Sequence, residues 1–190
     1  TGNYQDGATA VTVVDLPGVY SLGVTSLSSI DERVARDYVL TNEADVIVNI
    51  LDASNLERNL YLTTQLLEMQ LPIVVALNMV DIARTRRMRI DVAALAERLG
   101  CPVVALVATR GEGINDLKAA IAKTAAQTGL PTFRLPVVSA VTQALDALTP
   151  RLAAVATERR VDPRWLALKL LEGDVGVESF PLERGDACAP

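Results

Sequence analysis

Residues 71–81 read LPIVVALNMVD: an unbroken apolar run over residues 72–77, closed at once by Asn78-Met79-Val80-Asp81. A run of strand length with no polar alternation is what a parallel strand covered on both faces requires. Three more runs, near-continuous in Val, Ile and Leu, lie along the chain. Residues 10–14 end at Asp15, residues 44–51 end at Asp52, and residues 102–107 end at Ala108. Residues 1–4 allow a further short edge strand, with a turn over residues 5–8.

Helical patterns alternate with these runs. Ser29 and Glu32 have capping-box spacing ahead of residues 33–40, as do Ser54 and Glu57 ahead of residues 57–69. Asp91 can cap residues 92–99, with Gly100 as the stop, and residues 114–127 close the series before Gly129. Strand–helix alternation with short links predicts an α/β, doubly wound fold with a mostly parallel sheet. After Gly129 the pattern changes. Residues 130–136 carry two prolines and read as a linker, and beyond them only helical periodicity remains, at 139–148, 150–157 and 163–171. The expected organisation is an α/β unit over residues 1–129 and a small all-helical unit over residues 130–190.

Composition narrows the function. The 190 residues are half apolar, enough for one well-buried core and a smaller appendage. The net charge of −5 is spread over mixed acidic and basic residues, which argues against nucleic acid as a partner. Cys101 and Cys188 are the two cysteines and there is no histidine. A disulfide scaffold, a Cys/His zinc site and a histidine base are thereby excluded, and two free thiols fit a reducing compartment. No apolar run approaches the ~20 residues of a membrane span, so these residues read as a soluble piece. The chain opens at Thr1 with neither Met nor a signal peptide, which reads as a cut upstream.

In an open α/β sheet, ligands sit at the carboxyl ends of the strands. The first end offers Asp15-Leu16-Pro17-Gly18. The aspartate can hold Mg²⁺ through water, and the glycine lets a backbone N–H approach a phosphate; a plain strand-to-turn junction explains the same residues. The third end offers Asn78-Met79-Val80-Asp81. One carboxylate can accept two N–H bonds from the N1 and N2 edge of guanine, and a neighbouring amide can tie adjacent loops together. A helix or turn cap is the other reading of that Asn and Asp. The fourth end, Ala108-Thr109-Arg110-Gly111, has small residues that would let a backbone N–H reach the guanine carbonyl, or it is an ordinary polar loop. Asp52-Ala53-Ser54, at the second end, reads as a helix cap, with Asp52 structural.

Three such loops in this order, each after a buried strand, resemble the G3, G4 and G5 motifs of Ras-like GTPases. The same class grips the β- and γ-phosphates with G-x-x-x-x-G-K-[ST]. The three lysines here follow Leu117, Ala122 and Leu168, so that loop is not in these residues. The G2 threonine is missing too, and since Asp15 belongs to the third motif, both missing parts are expected upstream of Thr1. The expectation is therefore a Ras-like P-loop GTPase fold lacking its first strand and phosphate loop.

The resemblance narrows further. Residues 11–22 (VTVVDLPGVYSL), 52–63 (DASNLERNLYLT), 76–82 (ALNMVDI) and 165–174 (WLALKLLEGD) are similar to the ferrous iron transport protein B family. The last stretch resembles that family's helical spacer domain. The resemblance implies a GTPase domain, a helical domain that restrains GDP release, and a following transmembrane channel domain in the same protein. It implies the cytoplasmic face of the bacterial inner membrane, GTP and GDP as ligands, Mg²⁺ as cofactor, K⁺ stimulation in many members, and allows a homo-oligomer. Carried over by motif, Asp15 would position Mg²⁺ and Gly18 would sense the γ-phosphate, with Leu16 and Pro17 between them. Asn78, Met79 and Asp81 would frame and read guanine, and Ala108, Thr109 and Arg110 would frame its carbonyl. Residues 18–30 would be switch II. Val19 stands where a water-positioning Gln is sought, so no catalytic residue is assigned. Ala108 departs mildly from the serine common in the G5 motif. Two other readings share the motifs: a ribosome-assembly or tRNA-modification GTPase, against which the non-basic helical tail argues, and a pseudo-GTPase interaction module.

The missing first strand carries a structural expectation. In the family its neighbours would be residues 10–14 and 44–51, so a retained scaffold leaves a gap there. Val11, Val13, Val46 and Val48 would lose apolar cover and the piece alone would be poorly stable. Direct ladder bonds between residues 11–14 and 46–50, or another strand filling the gap, would refute this.

Overall fold

A computed structural model describes residues 1–7, 9–19, 21–22, 30–41, 43–127, 133–174 and 177. Its elements run β1 (Gly2–Asp6), β2 (Thr9–Val13), α1 (Ile30–Thr41), β3 (Ile47–Asp52), α2 (Leu56–Glu68), β4 (Ile73–Asn78), α3 (Val80–Thr85), α4 (Val92–Leu99), β5 (Val103–Ala105), α5 (Ile114–Ala125), α6 (Ser139–Arg159) and α7 (Pro163–Leu171). Short 3-10 turns at Ala53–Asn55 and Ala108–Arg110 follow the ends of β3 and β5.

β3, β4 and β5 form a parallel sheet in that order, with Ile47 opposite Ile73 and Val75 opposite Val103. β4 is its centre, and Ile73 to Leu77 are all buried. The apolar run over residues 72–77 thus does what its composition demands: helices cover both faces, and no position needs a polar side chain. The core around it joins Leu51, Leu66, Leu67, Ile73, Val75 and Leu77 to Leu145, Leu152, Trp165 and Leu166 of the helical part. One apolar cluster therefore runs through the α/β and the helical residues.

β1 and β2 form a separate antiparallel hairpin. Among the described residues, β2 has a ladder only with β1 and β3 only with β4. Among the described residues β2 does not pair directly with β3, and no strand pairs with both of them. The apolar cover is lost accordingly: Val13 is 48% and Val48 36% exposed. Val11 and Val46 stay half-buried, and Ile50, at 66%, is the most exposed apolar side chain of the sheet.

Several local expectations need correction. Ser54 does not cap α2. Asp52 accepts from the Ser54 N–H at 2.7 Å and caps the 3-10 turn, and Asn55 precedes α2 without a side-chain cap bond. The expected helices 139–148 and 150–157 are one helix, α6, with Pro150 inside it. A proline there removes the N–H that would serve the Asp146 carbonyl; beside it the Thr149 hydroxyl donates to the Leu145 carbonyl at 2.7 Å. Helix α3 was not foreseen. Asp91 does cap α4, accepting from Ala94 N–H at 3.0 Å, and Gly100 ends it at φ 65°. Asp162 caps α7 through Trp165 N–H at 2.8 Å. Ser29, Gly129, Cys188, residue 8 of the expected hairpin turn, residues 130–132 of the expected linker and most of residues 18–30 lie outside the described residues.

α1 is tied to the end of α7 by a buried ion pair. Arg36 Nη1 lies 3.0 Å from Asp174 Oδ1, with side chains 3% and 5% exposed. Arg36 Nε and Nη2 have no partner among the described residues. Where α2 meets the linker, Gln70 donates to the Phe133 carbonyl at 3.0 Å, and Arg134 pairs with Asp162 at 3.2 Å. Burial pushes the Glu68 carboxyl up, and the nearby Lys169 charge opposes it. Burial also pushes the Cys101 thiol up to about 11.

Candidate functional site

The register of the sheet brings two loops together. β4 ends at Asn78, and beyond β5 the ladder continues as Leu106 N–H donates to the Leu77 carbonyl at 2.8 Å. Val80 N–H then reaches the Leu106 carbonyl at 3.4 Å. The loops after β4 and β5 are therefore zipped side by side at the carboxyl edge.

Asn78 closes the seam. Its Oδ1 accepts from the Ala108 N–H at 3.1 Å, which makes it the amide that ties neighbouring loops, as its position suggested. With Oδ1 engaged, Nδ2 is the side left to donate. Met79 follows in the left-handed region, φ 61°, and is 42% exposed. A non-glycine residue there is strained by about 1–3 kcal/mol and is held only by its surroundings. This conformation turns the chain directly into α3 and sets Asp81 in its first turn. Asp81 Oδ1 accepts from Ile82 N–H at 2.9 Å.

The loop after β5 is a 3-10 turn with a locked base. Arg110 N–H donates to the Val107 carbonyl at 2.9 Å, and Val107 and Glu112 exchange bonds of 3.2 and 3.3 Å. Ala108 and Arg110 thus have their backbone N–H groups engaged, and the bonds just described do not use that of Thr109. Gly113 sits at φ 81°, and a Cβ there would meet the Ala105 carbonyl oxygen at 2.3 Å, so only glycine fits.

One contact had no signal in the sequence. Arg110 Nη2 lies 3.4 Å from Asp81 Oδ2, and its Nη1 lies 3.7 Å from Glu112 Oε1. The arginine side chain thus stands over the carboxylate that the motif assigns to base reading.

The phosphate-side residues lie elsewhere. Asp15, Leu16, Pro17 and Gly18 follow β2; Asp15 and Gly18 are exposed, and Leu16 and Pro17 half-buried. No hydrogen bond or ion pair among the described residues joins them to the other two loops. Four and seven residues after Asp15, Val19 packs against the core and Leu22 is buried. Leu22 N–H donates to Gln65 Oε1 at 2.8 Å, and Gln65 Nε2 reaches Ser21 Oγ at 3.4 Å. Gln65 is buried in the last turn of α2, where sequence reading offered no reason to single it out. Among the described residues, no group of three or more His, Cys, Asp or Glu side chains gathers to hold a metal ion. No helix there is long and apolar enough to cross a membrane.

Known proteins share both the sequence and the architecture. Residues 1–121 match the family described as ferrous iron transport protein B, and residues 139–183 match the FeoB cytosolic helical domain. The Fe(2+) transporter FeoB of Salmonella typhimurium is 49% identical over 168 residues, 87% of this chain and 21% of that protein. The Escherichia coli K12 transporter is 46% identical over 178 residues, 92% of this chain and 22% of its own length. The chain thus spans about a fifth of these relatives. Among solved structures, the cytosolic domain of T. maritima FeoB in a GDP form superposes with a TM-score of 0.85 at 35% identity, covering 94% of this chain and 68% of that one. The FeoB G-domain of Methanococcus jannaschii gives 0.63 at 46% identity, over 66% of this chain and 79% of its own. The architecture is thus the Ras-like P-loop GTPase fold with a helical part, and the chain belongs to the ferrous iron transport protein B family.

Proposed function

We propose that this chain is part of the cytosolic, GTP-binding and GTP-hydrolysing region of a bacterial Fe²⁺ membrane transporter, and that it holds the guanine-reading half of the nucleotide site. Residues 1–129 are the G-domain part and residues 130–190 the helical spacer part. A membrane channel in the same protein is the partner, at the cytoplasmic face of the inner membrane.

The observation that carries the reading is the Asn78–Ala108 bond, which locks the loops after β4 and β5 together with Asp81 beside them. Asp81 reads the N1 and N2 donors of guanine, Asn78 Nδ2 faces the base from the same seam, and Thr109 N–H is the donor for the carbonyl. Exposed Asp15 fits an outer carboxylate that holds Mg²⁺ through water. When bound, that ion neutralises charge on the transferring phosphoryl group. K⁺ stimulation stays an expectation of the family, placed by none of these residues.

Two measurements test this. These 190 residues alone have no G-x-x-x-x-G-K-[ST] loop, so they bind GDP weakly or not at all. The guanine contacts supply charge-assisted bonds of roughly 1.5–3 kcal/mol each, and association costs take most of that. Micromolar binding by calorimetry would overturn the half-site reading. In the full-length protein, Asp81→Asn shifts preference from GDP to XDP, because an amide can donate to the xanthine carbonyl while a guanine edge is left unpaired, at about 1–3 kcal/mol. An unchanged preference in a competition assay would reduce Asp81 to a helix-end residue.

A further inference from the structure

The contact between Arg110 and Asp81 gives the guanine-reading carboxylate an occupant from its own chain. Asp81 Oδ1 is held by the Ile82 N–H at 2.9 Å. Oδ2 faces Arg110 Nη2 at 3.4 Å. Guanine itself contains a guanidine fragment, the N1–C2–N2 edge, and that fragment is what a carboxylate at this position reads. Arg110 offers Asp81 the same chemical group, with a full positive charge.

From this geometry we propose that Arg110 is a built-in competitor for guanine: its side chain caps Asp81 when the site is empty and must leave before the base is read. The inference rests on the assignment of Asp81 as the base-reading residue. Glu112 is the second half of the device. It lies 3.7 Å from Arg110 Nη1, so the arginine already stands between two carboxylates and transfers to Glu112 by a small side-chain rotation. The backbone does not need to move, because Gly113 and the Val107–Glu112 bonds fix the loop base. Arg110 is 62% and Asp81 30% exposed, so water screens the pair and the competition is modest. A surface ion pair of this kind changes an equilibrium by up to about five-fold.

The test uses the full-length protein with GDP as probe, and XDP for Asp81→Asn. Arg110→Gln is expected to tighten GDP about two- to five-fold, mostly in the association rate. The gain should shrink at 1 M salt, where the Debye length falls to about 3 Å. Glu112→Gln should act in the opposite direction and weaken GDP, because it removes the alternative seat for Arg110. In an Asp81→Asn background, adding Arg110→Gln should leave XDP affinity unchanged. Unchanged or weaker GDP binding by Arg110→Gln overturns the proposal, since it means the arginine stays beside the bound base or does nothing. If the unaltered protein binds ADP as well as GDP, the guanine reading itself fails and takes the cap with it. If GDP is preferred and Asp81→Asn favours XDP, a silent Arg110→Gln defeats the cap alone.

Discussion

β3 and β4 are neighbours of equal length in one parallel sheet, yet they live in different solvents. Along β4, Val74, Val75, Ala76 and Leu77 are all 0% exposed. Along β3, burial alternates: Asn49 and Leu51 are inside, while Val48 and Ile50 face out at 36% and 66%. Both strands are rich in Val, Ile and Leu, and Asn49 within β3 is itself buried, so composition does not explain why Val48 and Ile50 face out. Among the described residues β4, on the complete flank, has a ladder on each side, and β3, on the open flank, has one only on the side of β4. The loops that we propose read guanine follow β4 and β5, and the proposed phosphate-side residues follow β2 of the separate hairpin. The comparison teaches that exposure along a strand follows the number of its ladder neighbours as well as its own residues.

Substitution can break this contrast. Leu77→Ala on β4 should cost about 2–5 kcal/mol, whereas Ile50→Ala on β3 should stay within about 0.5 kcal/mol. Urea unfolding of both variants measures it, and a large cost at Ile50 would mean that the open flank is covered in solution. Next in size is Gly113→Ala, at about 1–3 kcal/mol, since the residue must hold φ 81° with a carbonyl oxygen in the place of its Cβ. Its loss should show in thermal unfolding, and a neutral result would mean the loop after β5 is not locked. Asp91→Ala removes the α4 cap on the same complete flank and should cost about 1 kcal/mol, read as a lower urea midpoint at constant slope.

The smallest effect lies where α2 leaves the open flank for the helical part. The Glu68 carboxyl is pushed up from 4.5, first by burial and then further by Glu172, against Lys169, Leu135 N–H and Arg134. The folded state therefore holds its proton more tightly than the unfolded chain. Stability falls as pH rises from 4.5 through the raised folded value. Glu68→Gln should consequently be slightly more stable than the parent at pH 7, with the advantage gone below pH 4.5. A variant less stable at pH 7 would show that the Lys169 attraction outweighs burial.

The complete flank was the legible one. β4 could be read because its signal is local: six apolar residues end in Asn78, and Asp81 is three positions on. Asn78 could even be assigned its loop-tying role, since the strand order fixes which loop lies beside it. α3 escaped because its six residues, Val80–Thr85, are too few to show a period. Pro150 read as a helix boundary because the removed N–H is visible in sequence, and the continuity of α6 through it is not. Arg110 over Asp81 and Gln65 under Leu22 were invisible for a common reason: each contact depends on side chains meeting through space, 29 and 43 residues apart.

The Arg36–Asp174 pair gives the chain a clock. The two residues are 138 apart in sequence, so on a ribosome adding roughly 5–20 residues per second Arg36 waits about 7–28 s for Asp174 to be made. Until then a guanidinium destined for a site 3% exposed lacks this counter-charge, and settling α1 into the core would strand that charge at several kcal/mol. α1 is thus among the last of the described elements to close during synthesis, although it is made well before α7. Protease sensitivity of α1 in nascent chains stalled before and after residue 174 would time that closure.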